Sequence, residues 1–181
     1  PVAFTRPEER VVGFTVGAYD ATHPLLIDPT YAWHTFQGSS DNDSGYGIAV
    51  DDDSNVYVTG ASDTSWGTPL HPHSGEGATD LVVMKFDRTG ALQWHTFYGS
   101  PGDLVSSATG VDAGYGIAVG AGGAVYITGS SHGAWNGPGG QEPLSSFRGN
   151  EDIVVLKLDS AGAYQWHTFF GESYSNFGYG I

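Results

Sequence analysis

The tetrapeptide Trp-His-Thr-Phe is written three times in this chain, at 33–36, 94–97 and 166–169. It does not recur alone. "GYGIAV" stands at 45–50 and again at 114–119, and "GYGI" at 178–181. "VYVTG" at 56–60 returns as "VYITG" at 125–129. "DLVVMKFDRTGALQWHTFYG" at 80–99 returns as "DIVVLKLDSAGAYQWHTFFG" at 152–171. The spacing from Gly45 to Gly114 is 69 residues, and from Asp80 to Asp152 it is 72. A repeat of that length makes each unit one supersecondary block that buries its faces against its neighbours.

Each unit predicts four short strands. "YGIAV" is apolar and bounded by Gly and Asp, "VYVTGAS" alternates and is rich in β-formers, "DLVVMKF" is Val-rich, and "ALQWHTF" is aromatic. "DDDSN" and "GAGG" join the first pair, and "DRTG" and "DSAG" the last, with the Asp and Gly that tight turns require. Longer loops at 61–79 and 130–151 join the second strand to the third. No segment carries a helical period. The expected class is all-β, built of four-stranded antiparallel β-propeller blades. The expected blades run 46–97 and 115–169, with 178–181 starting another and 31–36 an orphan outer strand. Residues 1–30 read as a lead-in from a preceding domain or linker. Two complete blades are an incomplete ring, because propellers close with about four to eight. The expected partners are therefore further blades of a longer chain, or other copies of this one.

"GYGIAVDDDSNVYVTG" followed by "DLVVMKFDRTGALQWHTFYGS" resembles the seven-bladed β-propeller repeat called SBBP. The opening "VVGFTVGAYDATHPLLIDPTYAWHTF" is similar to the lead-in often placed before such repeats. The loops "SDTSWGTPL" and "SHGAWNGPGGQEPL" depart from it, with Trp66 and Trp135 in place of the usual Phe-Pro. The resemblance implies a secreted or cell-surface bacterial protein and says little about activity. "FDRTGALQWHTF" also resembles the quinoprotein blade, which would make the chain part of a quinone-dependent dehydrogenase. In that family the Trp motif is a structural dock between blades, so the motif does not imply the cofactor.

Charge narrows the partners. Six Lys and Arg stand against 20 Asp and Glu, a formal net charge of −14. Nucleic acid needs a basic footprint, and anionic membrane surfaces attract basic ones, so neither is expected. There is no cysteine, which excludes disulfides, thiolate metal sites and cysteine nucleophiles. No run of 18 apolar residues is present, so no membrane insertion is expected. The first residues lack the basic and apolar regions of a signal peptide.

The candidate sites are few. His34, His95 and His167 fall on different outer strands and cannot converge on one ion, so they read as hydrogen-bonded packing residues. Lys85 and Lys157, repeated in Val-rich strands, need a partner; Asp80 and Asp152, or Asp87 and Asp159, are the candidates. Asp41 and Asp43 in "DNDSGYG" resemble the start of a calcium loop. The matching Asp112 and Asn176 favour a turn-capping role instead. In the long loops, His71 and His73 with Glu76 have the residue types of a transition-metal site. Trp66 and Trp135, beside polar residues, suit either a carbohydrate or packing between blades. No Gly-x-Ser-x-Gly elbow, P-loop or His-Glu-x-x-His motif is present.

The expected function is non-enzymatic: a structural or adhesive, secreted or cell-surface propeller segment that binds protein or glycan partners, or joins an extracellular assembly. No cofactor is expected beyond a calcium ion at Asp41 and Asp43. Two alternatives stand beside it. One is a quinoprotein-like enzyme or hydrolase whose active site lies outside this segment; the other is a calcium-stabilised lectin-like module.

Overall fold

The structure, a computed structural model, describes residues 2–5, 13–16, 18, 22, 32–75, 77–101 and 111–181. It divides into two compact units, Pro1–Ala32 and Trp33–Ile181. In the first, strands β1 (Val2–Thr5) and β2 (Gly13–Val16) pair antiparallel. Most of the expected lead-in lies outside the described residues.

The second unit holds two four-stranded antiparallel sheets. The first sheet runs in chain order through β3 (Asp43–Val50), β4 (Val56–Ser62), β5 (Asp80–Phe86) and β6 (Leu92–Tyr98). The second does the same through β7 (Ala113–Val119), β8 (Val125–Ser131), β9 (Asp152–Leu158) and β10 (Tyr164–Phe170). Each sheet is a propeller blade, a meander whose consecutive strands pair. The two blades do not close a ring. One 3-10 turn, Ala121–Gly123, occupies the "GAGG" hairpin.

The innermost strands are bulged at the same place. The register slips between Gly45 and Gly47 and between Gly114 and Gly116, leaving Tyr46 and Tyr115 as the extra residues. A bulge re-aims the residue it carries. Tyr46, Tyr115 and Tyr179 form a ladder, with ring centroids 5.4 and 5.3 Å apart. Opposite each bulge stands the Gly of the Tyr-x-Thr-Gly strand. A Cβ on Gly60 would lie 1.8 Å from the Ser44 carbonyl oxygen, and one on Gly129 equally close to that of Ala113. Only a residue without a side chain admits this approach.

The core lies between the blades. Tyr57, Leu81, Val83 and Tyr98 of the first pack with Ile117, Ile127, Val154, Leu156 and Phe169 of the second. The outer edge of each blade is also covered. The loop after the second strand doubles back, so that Leu70 N donates to His95 O and Phe97 N to His71 O. The second blade repeats this with Leu144 N to His167 O and Phe169 N to Ser145 O. A strand edge left open would recruit another chain; here a Pro-Leu segment of the same blade fills it.

Of the orphan outer strand expected at 31–36, residue 31 lies outside the described residues and residues 32–36 form no strand ladder in this structure. Trp33 nevertheless docks on the last turn of the first blade. Its Nε1 donates to Arg88 O at 3.1 Å, and its ring lies 6.4 Å from Phe86 and against Gly90. Trp94 is placed alike on the second blade, against Gly162. Trp33 and Trp94, the Trp of the first two motifs, thus each pack on the Asp-x-x-Gly turn of the following blade.

Candidate functional site

The other residues of the motif serve their own blade. His95 stacks on Trp66 with centroids 3.9 Å apart and an interplanar angle of 3°, and its Nε2 meets Trp66 O at 2.8 Å. His167 stacks on Trp135 at 3.9 Å and 10°, with its Nε2 3.0 Å from Trp135 O. Tyr164 Oη lies 2.7 Å from His167 Nδ1, so both ring nitrogens are occupied. Phe97 and Phe169 stand edge-on to these pairs. Burial holds both imidazoles neutral: His95 is shifted down, and His167 falls to about 4. Trp135 is 6% exposed and lies 5.7 Å from Tyr98 of the other blade. Both its faces are covered by protein. Trp66 is half-buried over His95.

The loop histidines are fixed one by one. His71 Nδ1 lies 2.8 Å from Phe97 O, with its ring stacked on Tyr98. His73 Nε2 lies 3.0 Å from Ser62 O, and its Nδ1 accepts from Gly75 N. Glu76 lies outside the described residues. Among the described residues no three His, Asp or Glu side chains converge as a metal ion requires.

Asp43 ends its search for donors within the protein. Oδ2 accepts from Ser39 N at 2.6 Å and Ser39 Oγ at 2.9 Å, and Oδ1 from Ser62 Oγ at 2.5 Å. Asp112 repeats the arrangement with Ser100 N, Ser100 Oγ and Ser131 Oγ. Each Asp therefore ties the linker from the preceding motif to the second strand of its own blade. Asp41 contributes its backbone N–H to Ser39 Oγ.

The lysines differ from the expectation. Neither Lys85 nor Lys157 is held by the carboxylates proposed for it. Lys85 Nζ lies 5.1 Å over the Tyr57 ring and 3.4 Å from Ser160 O; Lys157 Nζ lies 5.3 Å over the Tyr126 ring. The physical reason is register. Tyr57 pairs with Lys85 and Tyr126 with Lys157 across neighbouring strands, so an aromatic face stands directly beside each ammonium.

The recess with most polar chemistry opens between the two blades at their hairpin end, with a volume of about 460 Å³. Asp51, Asp52, Asp53, Tyr57 and Lys85 form one wall, and Gly120–Gly123 with Ser160 form the other. It exists because the repeats differ there: "DDDSN" faces "GAGGA", and a Cβ on Gly122 would meet nothing within 4 Å. Burial pushes Asp51 up, but hydrogen bonds from Asn55, Tyr57 and Asp53 outweigh it and hold the carboxyl below its usual range. Along the chain these aspartates are only a turn between two strands; the neighbouring blade makes them a wall.

No curated protein matches the chain. Residues 32–65, from the first Trp-His-Thr-Phe through the second strand of the first blade, match the family model SBBP, a beta-propeller repeat. The match falls on the unit that the second blade repeats strand for strand, so residues 32–65 carry a beta-propeller repeat similar to those of the SBBP model.

Proposed function

We propose that this chain is a non-enzymatic scaffold segment of a secreted or cell-surface protein, with a structural or adhesive role. The location rests on the family resemblance alone. The observation behind the scaffold role is the match between covered and uncovered faces. Ile117 of the second blade is 8% exposed where it meets the first; its counterpart Ile48 is 69% exposed. Tyr98 of the first blade is 2% exposed; its counterpart Phe170 is 55% exposed. Each end of the blade pair offers the surface that the middle buries, so the segment is built to be continued by further blades, from its own chain or another copy. The recess beside Asp52, Asp53 and Lys85 offers a hydroxyl-rich ligand such as a glycan both acceptors and a donor.

Light scattering on the 181-residue chain over a range of concentrations tests the scaffold role. We expect association that grows with concentration and is lost in Ile48→Asp and Phe170→Asp. A chain that stays a stable single copy at every concentration removes the claim that its blade faces require neighbours.

A further inference from the structure

The junction between the blades buries two carboxyl groups from different blades. Asp80 opens β5 of the first blade and is fully buried; Asp112 precedes β7 of the second and is 1% exposed. Gly99 lies between them. A Cβ there would stand 2.4 Å from Asp80 Oδ1 and 3.0 Å from Asp112 Oδ2, so the two carboxyl groups face one another across a bare Cα. The chain itself is bridged here: Asp112 N donates to Thr79 O, beside Asp80.

The donors around the pair are neutral. Ser74 N and Oγ serve Asp80, and Ser100 and Ser131 serve Asp112. Of the titratable groups packed around it, His73 Nε2 lies 3.9 Å from Asp80 and has Ser62 O as its hydrogen-bond partner. His71 lies farther off, with Nδ1 on Phe97 O. His132 sits on Val111 O and faces Glu151 at 3.7 Å. Asp63 accepts from Thr79 Oγ1. Among these described groups no Lys or Arg faces the pair. Two negative charges in a buried, hydrogen-bonded site without a cation repel one another and lose their hydration.

The second junction shows the alternative. Asp152 matches Asp80, and Gly171 matches Gly99, but Asn176 stands where Asp112 does. An amide adds no charge where a second carboxylate would; its Nδ2 donates to the Glu151 and Tyr174 carbonyls, and Asp152 Oδ1 has no hydrogen-bond partner.

We propose that Asp80 and Asp112 form a proton-operated clasp, in which the pair keeps one proton when the blades are docked and the joint loosens when that proton is lost. Burial first, and the Asp80 charge after it, raise Asp112 to about 7; burial raises Asp80 as well. The sign follows from linkage. The unfolded chain releases this proton near pH 4 and the docked pair keeps it to about 7, so stability falls as pH rises through that window. His167 and His95, shifted down by burial, work oppositely, because protonating them on acidification opposes the fold. The test must therefore compare variants at each pH.

The experiment measures the melting temperature of the full chain and of Asp112→Asn between pH 5 and pH 8. The variant copies the second junction. We expect its melting temperature relative to wild type to rise from pH 5 to about pH 7, by roughly 5 °C, and to level off above that. His73→Phe, which copies Phe147 at the matching position, should leave the wild-type slope in place. A difference between Asp112→Asn and wild type that does not change with pH, or falls, overturns the clasp. So does loss of the slope in His73→Phe. Should Asp112→Asn fail to fold, amide exchange in the wild type decides. Protection of β7 relative to β9 falls as pH rises from 5 to about 7 if the clasp operates, and stays constant if it does not.

Discussion

A single Trp-His-Thr-Phe motif divides its labour residue by residue. The Trp packs on the turn of the next blade, the His stacks under a loop Trp of its own blade, and the Phe enters the core. Alternation along a strand made this division legible, since Trp and Thr had to face one way and His and Phe the other. The histidine's partner was not legible, because Trp66 and Trp135 reach it from loops 29 and 32 residues away. The glycines of the Tyr-x-Thr-Gly strands are as strict as the aromatics. Gly129→Ala forces a methyl into the Ala113 carbonyl, and the bulge cannot relax without moving Tyr115. We expect it to cost about 3 kcal/mol, read as a lowered urea midpoint at an unchanged slope.

Elements were the most legible level. The four strands of each unit stand where alternation and turn residues put them, and the Asp-x-x-Gly turns close through the Asp side chain. Asp87 Oδ1 accepts from Thr89 N and Ala91 N, and Asp159 Oδ1 from Ala161 N and Ala163 N. The long loops held the candidate ligand residues His71, His73, Trp66 and Trp135, with packing between blades as the other reading of the tryptophans. The loops' Pro-Leu segments are spent on the outer strand edge, a pairing between residues some 25 apart that no local pattern announces. Leu144→Pro removes the N–H that meets His167 O. We expect a loss of about 1 kcal/mol in thermal unfolding, and faster aggregation as the β10 edge opens.

Stability of the whole molecule is shared between blades. The main core is an interface, with Tyr57 and Tyr98 on one side and Ile127 and Leu156 on the other. In such stacked repeats each added neighbour contributes an interface term. A chain extended by one further copy of the unit from Val111 should melt higher than the parent by several degrees, roughly 5 °C. Calorimetry that shows no rise would mean the blades fold independently.

The sequence by itself determined the repeat, the strand count per blade and the turn chemistry, because these depend on residues near one another along the chain. It also carried the resemblance to the SBBP repeat, since the matched motifs are local strings. Tertiary structure alone decided what sits between blades. It placed Lys85 over Tyr57, made a recess from an acidic hairpin and a glycine one, and set Asp80 against Asp112 across Gly99. The physical reason is the same in each case. These contacts join residues from different strands or blades, and their energies depend on burial, which exists only once the blades have docked.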